Sequence, residues 1–240
     1  TKQLVSLVVV ATRHGGVQMT LLNRIRYLPY RIVRRLGTAD ISCIFGIETE
    51  KLQTPNAVDE FAFAEISELD IRKMVTTYPE TFGDTQASQL NMDNVYCVAM
   101  FQGQQLAGFA WLATGNIPAE FNHDGDLRAG LPLDLPSDTG YVYNVFVVSE
   151  YRGKRLYANI MHFLAEVMRP RGVTRLILTT DATNRSSLKA LRRMGFQEYG
   201  RAWLFRLGPF SVANYPPTPV FGNVRFGTYT GDRRAVQPAV

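Results

Sequence analysis

The chain lacks the features that identify most membrane-spanning and secreted proteins. No run approaches the ~20 apolar residues that a membrane-spanning helix needs, and the longest candidate, residues 4–11, is interrupted by Ser6. Its two cysteines, Cys43 and Cys97, lie far apart within apolar runs. That placement is typical of buried thiols in a reducing compartment and not of a disulfide framework. We therefore expect a cytoplasmic protein.

Two common phosphate-binding signatures and a metal site are also missing. Neither Gly-x-x-x-x-Gly-Lys-Ser/Thr nor Gly-x-Gly-x-x-Gly occurs in the sequence, which argues against a nucleoside triphosphatase and a Rossmann dehydrogenase. The three histidines, His14, His123 and His162, share no ligand spacing. We therefore expect no metal.

The composition is that of a globular protein with one substantial domain. The chain has 240 residues, of which 46% are hydrophobic, and one domain typically takes ~100–200 residues. The pattern along the chain predicts a basic N-terminal extension of uncertain structure over residues 1–57. It also predicts a main domain over residues 58–208 and a loosely structured C-terminal tail over residues 209–240.

Positive charge is concentrated at the two ends of the chain. Residues 1–37 carry seven basic and no acidic residues, and residues 149–240 carry fifteen basic against five acidic residues. This asymmetry indicates that the second half of the chain binds a polyanion. Two solvent-exposed faces of opposite charge would give the same residue counts. Basic and aromatic residues do not interleave as in a stacking platform, so we expect no nucleic-acid partner. The amphipathic stretch 19–36 leaves a weak membrane-surface contact open.

The periodicity from residue 41 onward predicts alternating strands and helices. Ser67 and Asp70 form a capping-box pattern that begins a helix reaching Tyr78. Residues 115–139 are rich in Gly, Pro and Asp and predict an irregular loop, which we interpret as an acidic lid over an acceptor. The other predicted elements are strands at 41–47, 61–66, 96–101, 106–113, 141–148 and 176–180, helices at 156–169 and 186–194, and a strand pair at 196–207 broken at Gly200.

The step from strand 141–148 to the next helix has the form of a phosphate site. Backbone N–H groups at a short Gly-containing turn and at a helix N-terminus point at an anion, and the helix dipole adds to them. Here the turn also carries Arg152, Lys154 and Arg155. The pattern suits a diphosphate that lies across the beginning of the helix.

Two segments make a more specific resemblance. YVYNVFVVSEYRGKRLYA, at 141–158, resembles the acyl-CoA-binding motif of the GNAT (Gcn5-related N-acetyltransferase) superfamily, and NRSSLKALRRMGF, at 184–196, resembles its second signature. The resemblance covers about residues 58–208. It implies an α/β fold with a mixed, centrally splayed sheet flanked by helices. It also implies an N-acyltransferase that uses acetyl-CoA, or another acyl-CoA, to acylate a small-molecule or peptide amine.

The resemblance also assigns the donor site, with three departures from the family pattern. Main-chain groups of the splayed strand would bind the pantetheine arm together with the second signature, and the amides of the basic turn would bind the pyrophosphate. Arg155 stands where the family has glycine, Tyr157 where it has a small residue, and Leu191 where it often has a tyrosine acid. An acyl-CoA-binding module without turnover therefore stays an alternative. The predicted donor-binding residues are Phe146, Val147, Val148, Arg152, Gly153, Lys154, Arg155, Leu156, Tyr157, Asn184 and Ser187.

The chemistry of acyl transfer indicates what else the site needs. An alkylammonium must lose a proton before it can attack a thioester, so a base is required. Glu65 and Glu150 are the candidate bases, and Tyr143 and Asn144 are candidates for orienting the acceptor. The family would use the Val147 N–H to polarise the thioester carbonyl. The sequence leaves the acceptor, the acyl length and the oligomeric state open.

Overall fold

A computed structural model describes residues 38–79, 81–82, 88–90, 92–121, 130–207, 210–216, 221 and 223–226. The stretch 19–36, for which the sequence left a weak membrane-surface contact open, lies outside these residues. The helices are α1 (Glu68–Thr77), α2 (Leu156–Met168) and α3 (Arg185–Arg193). The strands are β1 (Thr38–Glu48), β2 (Ala62–Glu65), β3 (Val95–Gln102), β4 (Gln105–Thr114), β5 (Asn116–Ile117), β6 (Leu133–Asp134), β7 (Thr139–Val147), β8 (Arg175–Asp181), β9 (Gln197–Leu207), β10 (Phe210–Asn214) and β11 (Arg225–Phe226).

Eight of these strands form one mixed sheet in the order β10-β9-β1-β8-β7-β4-β3-β2. Every neighbouring pair is antiparallel except β7 and β8, which run parallel. Helices cover both faces, because α2 and α3 pack in one apolar core and α1 packs in the other. The expected α/β fold with a mixed sheet flanked by helices is confirmed.

Local sequence signals account for the three helices. The predicted capping box begins α1, where Asp70 N–H donates to Ser67 Oγ at 3.2 Å and Ser67 N–H donates to Asp70 Oδ2 at 3.3 Å. The apolar stripe of α2 is buried against the sheet, as its helical spacing predicts. Asn184 caps α3 by accepting the Ser187 N–H at 3.2 Å. No helix among the described residues is long and apolar enough to cross a membrane.

The sheet extends beyond the predicted limits of the main domain at both ends. β1, which the sequence-based division put in the N-terminal extension, lies between β9 and β8 and pairs with both. β10, which follows residue 208, pairs with β9, and β11 pairs with β6. The pairings of β1 and of β11 join segments that are distant in the chain, so local patterns do not reveal them.

Two predicted elements differ in detail from the structure. Residues 196–207 were expected to form a strand pair, but β9 is one strand with a bulge at Gly200, whose φ is +152°. Segment 115–139 was expected to lack regular structure, but β5 and β6 pair within it and join β11 in a small second sheet. Ile117 and Leu133 are fully buried there. Burial of these side chains holds the segment against the core.

Candidate functional site

A gap opens between the two parallel strands in the middle of the sheet. Pairing of β7 with β8 runs from Thr139 and Arg175 to Val142 and Leu178 and ends there. Both strands continue, β7 to Val147 and β8 to Asp181. The sheet is therefore splayed at the carboxyl ends of its two parallel strands, which is the place where α/β sheets commonly bind ligands.

A β-bulge marks the side of the gap formed by β7. Phe146 pairs with Phe109 and Tyr143 pairs with Trp111, so two residues of β7 lie opposite Ala110 alone. One of the two, Asn144, is exposed and has a φ of +48°. The bulge changes the direction of the strand where pairing with β8 has just ended.

Main-chain groups of β7 are directed into the gap. The Val148 N–H donates to Ala107 O of β4 at 2.9 Å. Because successive peptide groups point to opposite edges of a strand, the groups of Val147 point away from β4 and toward the gap. Val147 O accepts from Arg152 Nε at 3.0 Å, in agreement with this direction. Its N–H therefore faces the gap, and the role of that N–H as a donor to the thioester stays a prediction.

The turn between β7 and α2 presents unpaired backbone donors. Gly153 has a φ of +89°, and Arg155, the N-cap residue of α2, has a φ of +63° and makes no side-chain cap. Within the described part of the chain, the N–H groups of residues 153–157 have no protein acceptor. Such a series of free N–H groups ahead of a helix binds anions. The turn fits a diphosphate.

The basic side chains at this turn have different surroundings. Arg152 lies 5.7 Å from the ring centroid of Phe146 in addition to its bond to Val147 O. Lys154 pairs with Glu60 at 3.2 Å, with both side chains about half exposed, so a bound phosphate would compete with that carboxylate. Arg155 is exposed. Leu156 is buried and apolar, so it can offer an anion only its N–H group, and Tyr157 is half-buried.

The beginning of α3 lies on the other side of the gap. Asn184 follows the end of β8, and its Oδ1 accepts from Ser186 Oγ at 2.9 Å as well as from the Ser187 N–H. The next residue, Arg185, is exposed. Arg185 places a cation in the first turn of α3, where it opposes the helix dipole. A bound anion would offset that unfavourable interaction, so Arg185 is a further candidate for anion binding that the sequence motifs did not indicate.

The four candidate catalytic residues are not brought together. Asn144 and the exposed Glu150 lie at the gap or directly after it. Glu65 lies on β2, three strands from β7 in the sheet order. Arg171 donates to both Glu65 oxygens, at 2.8 and 3.0 Å. The structure therefore places the carboxylate of Glu65 outside the gap, with a partner that lies 106 residues away in the chain.

Tyr143 lies inside an aromatic cluster and not in an open acceptor site. Its ring stacks on Phe121 at 5.0 Å and on Tyr141 at 6.0 Å, and its hydroxyl donates to Gln89 Oε1 at 3.5 Å. Burial raises the pKa of Tyr143 well above its ordinary value. This phenol stays protonated at neutral pH, so any role in catalysis is that of a hydrogen-bond donor.

The position of the usual tyrosine acid is buried, and a different hydroxyl pair lies nearer the gap. Leu191 is fully buried in the core formed with α2, so it supplies no acid. The hydroxyls of Tyr141 and Thr179 lie 2.7 Å apart and connect β7 to β8 where their pairing ends. No sequence pattern indicates this contact, because it depends on the register of two strands and joins residues that are 38 positions apart.

Within the described ranges, no three or more His, Cys, Asp and Glu side chains are arranged to hold a metal ion.

Comparison with known proteins gives one family and a set of distant relatives. The family model described as "Acetyltransferase (GNAT) family" matches residues 63–196. N-alpha-acetyltransferase 30 of Schizosaccharomyces pombe is 28% identical over 76 residues, which are 32% of this chain and 51% of that protein. The chain thus spans about half the length of this curated relative.

Two solved structures are among the structural matches. A GCN5-related N-acetyltransferase from Kribbella flavida is 16% identical, with 74% of this chain and 62% of that chain covered and a TM-score of 0.46. AAC(6′)-Iy, in complex with the bisubstrate analogue CoA-S-monomethyl-acetylneamine, is 15% identical, with 61% of this chain and 97% of that chain covered and a TM-score of 0.45.

Proposed function

The chain belongs to the acetyltransferase (GNAT) family, and we propose that it transfers an acyl group, acetyl by default, from acyl-CoA to an amine by direct attack. The observation that carries the proposal is the combination of a splayed gap between β7 and β8 with a row of free backbone donors at the end of that gap. The proposal includes a cytoplasmic location, supported by two cysteines that are both buried and free.

The residues around the gap fit a CoA thioester in two parts. The N–H groups of residues 153–157 would hold the pyrophosphate, with Arg152 and Arg155 supplying positive charge. The main-chain groups of Val147, together with Asn184 and Ser187 at the beginning of α3, would line the pantetheine arm. Phe146 and Val148 were predicted to contribute main-chain groups as well, but the same alternation of peptide groups directs those of these two residues toward β4. Lys154 would join the phosphate site by leaving Glu60, since an exposed ion pair of this kind contributes little to stability.

The thioester supplies an acyl group with a good leaving thiolate, and the chain supplies the rest. The Val147 N–H would donate to the thioester carbonyl as negative charge develops on its oxygen. Glu150, exposed directly after β7, would take a proton through water from the ammonium form of the acceptor, so that the neutral amine can attack the thioester. The CoA thiolate would take its proton from solvent, because Leu191 supplies no acid and Tyr141 is buried. Alignment of the two reactants accounts for much of the expected rate.

A peptide N-terminus is one acceptor that the comparisons support, because the curated relative is called an N-alpha-acetyltransferase. A small amine is the other, because AAC(6′)-Iy was solved with an analogue that joins CoA to acetylneamine. A panel of test acceptors must therefore contain both peptide N-termini and small amines.

Titration of acetyl-CoA by calorimetry tests the donor site directly. We expect the double variant Arg152→Glu/Lys154→Glu to weaken binding by about tenfold or more, since two exposed attractions become repulsions. Arg72→Glu/Lys73→Glu is the matched control, because it makes the same charge change on an exposed face of α1. Equal affinity of both double variants would reject the assigned phosphate site.

A non-catalytic acyl-CoA-binding module is the second candidate function. It is favoured by Leu191, which fills the usual acid position with a buried apolar side chain. It is also favoured by Arg152, whose side chain already donates a hydrogen bond to Val147 O at the gap. Thiol release from acetyl-CoA over the acceptor panel distinguishes the two functions, because binding without release supports the module.

A further inference from the structure

Lys154 lies at the turn that is assigned to phosphate, but its charge is held away from that turn. Its backbone N–H belongs to the row of free donors at residues 153–157. Its ammonium lies 3.2 Å from Glu60 Oε1, and Glu60 comes shortly before β2, 94 residues earlier in the chain. The main chain of Lys154 therefore lies in the candidate phosphate site, while its side-chain charge is paired with another segment.

Two buried aromatic rings complete the site that holds this ammonium. Lys154 Nζ lies 5.6 Å from the ring centroid of Phe61 and 5.8 Å from that of Tyr151, and both distances are within the range of cation–π attraction. The two rings are buried and meet edge to face, with their centroids 5.6 Å apart. Glu60, Phe61 and Tyr151 thus form a preformed ammonium site, which we call the lysine cradle.

The hairpin between β3 and β4 supports the lysine cradle. Gln102 Nε2 donates to Glu60 Oε2 at 3.2 Å, while Glu60 Oε1 accepts from Lys154. The Tyr151 hydroxyl donates to Gln105 Oε1 at 3.2 Å. These contacts fix the cradle, whereas the lysine side chain is a flexible four-carbon stem. The part that can move is therefore the lysine.

The lysine cradle and a bound diphosphate compete for this one cation. Lys154 can approach a phosphate at the turn only by leaving Glu60 and both rings. A diphosphate carries more negative charge than a carboxylate, so the donor wins the competition, but part of its attraction only replaces the contacts that are lost. The side chains of Lys154 and Glu60 are 46% and 53% exposed, and an ion pair of this kind changes an equilibrium constant by about twofold to fivefold. Glu60 should therefore lower the affinity for the donor by a factor in this range.

We propose that Glu60 is a positioning residue of the donor site, which holds Lys154 in the lysine cradle while the site is empty and releases it to the diphosphate when acyl-CoA binds. This inference rests on the proposed acyl-CoA-dependent function. Glu60 touches no part of the donor and sets the donor affinity through Lys154. It lies before residues 63–196, so the match to the family model does not include it.

A double-variant cycle measured by calorimetry tests the proposal. Acetyl-CoA is titrated into the parent protein, Glu60→Gln, Lys154→Gln and the double variant. Glu60→Gln should bind acetyl-CoA about threefold more tightly than the parent, because Lys154 then leaves a neutral partner. In the Lys154→Gln background, Glu60→Gln should have no effect. The threefold gain should also shrink at high salt, since salt screens exposed charges.

Asp59→Asn is the matched control, because it makes the same charge change on an exposed side chain one residue earlier. It should leave acetyl-CoA affinity close to that of the parent. Tightening by Asp59→Asn equal to that by Glu60→Gln would indicate a long-range effect of charge and overturn the proposal. A gain from Glu60→Gln that persists without Lys154 would do the same. Unchanged or weaker binding by Glu60→Gln would also overturn it, while the donor site itself stands.

Inorganic pyrophosphate gives a readout that does not depend on acyl-CoA. If acetyl-CoA does not bind the parent, the proposed function fails, and the same proteins are titrated with pyrophosphate. A gain in Glu60→Gln that vanishes in the Lys154→Gln background then supports the lysine cradle as a competitor for phosphate. Absence of pyrophosphate binding to the parent overturns the role of Glu60 together with the phosphate site.

Discussion

Arg155 gives the sharpest test of the turn that is assigned to phosphate. Its φ of +63° and ψ of +17° lie in the left-handed region, where a side chain costs about 1–2 kcal/mol. Its guanidinium is exposed, so stability gains little from it. The residue thus holds a strained backbone at the position where the family pattern has glycine.

The strain can be measured by comparing two small residues at the same position. Glycine removes the left-handed penalty but gives up about 0.5–1 kcal/mol of unfolded-state entropy relative to alanine. Arg155→Gly should therefore be more stable than Arg155→Ala by about 1 kcal/mol. For a chain of this size that difference is roughly 2–4 °C in Tm. Both variants lose the same charge, so charge effects cancel in the comparison.

Lys154 is the matched control, because it is the adjacent basic residue and its φ is not positive. There the order should reverse, with Lys154→Gly less stable than Lys154→Ala by about 0.5–1 kcal/mol. Thermal unfolding of the four variants measures both differences. If glycine were the less stable residue at both positions, the left-handed geometry of the turn, and with it the aligned row of N–H groups, would be refuted.

Three further predictions concern the gap and its surroundings. Gly108→Ala should lower stability by about 1–3 kcal/mol and weaken acetyl-CoA binding, because the new Cβ would lie 2.7 Å from Phe146 O at the bulge; unfolding and titration measure the two effects. Tyr143 should show no phenolate absorbance up to pH 10 in the folded protein, since burial raises its pKa, and Tyr143→Phe should leave the ultraviolet titration between pH 9 and pH 10 unchanged. For Asp138, burial raises the pKa, but hydrogen bonds from Arg175 and Thr139 outweigh it and the net pKa is lowered. Its contribution to stability is therefore present above the unfolded-state pKa and is lost as pH falls through the folded value. Asp138→Asn should cost at most about 1 kcal/mol at pH 7 and nothing in strong acid, which denaturant titrations at the two pH values would check.

The parts of the fold that the sequence predicted well are those with local causes. Ser67 and Asp70 specify the beginning of α1 by contacts three residues apart, and the apolar spacing of α2 specifies its buried face. β9 is one continuous strand because it pairs with β1 on both sides of the bulge at Gly200. β1 lies more than 150 residues earlier in the chain. No window of sequence contains both partners, so that feature could only be seen in the structure.

The candidate site also has one part that a local motif predicts and another part that depends on tertiary contacts. The amides of the turn after β7 follow from a contiguous motif, so the sequence predicted them together with their chemistry. Glu65 was a reasonable base by sequence, since it ends a strand of the same sheet. Its ion pair with Arg171 depends on how the end of α2 lies over β2, and that packing decides where the carboxylate lies. Residue type suggested the role, and tertiary contact determined the position.

The match to the family model covers only part of the large sheet. Residues 63–196 contain both edges of the gap and the beginnings of α2 and α3, so every residue predicted to bind the donor lies inside the matched region. The strands β1, β9 and β10 lie outside that region and form one side of the sheet, next to β8. The resemblance to the family therefore predicts the donor site from the sequence, because that site is built from contiguous motifs. It does not predict the three added strands, because β1 is placed by pairing with segments that are distant in the chain.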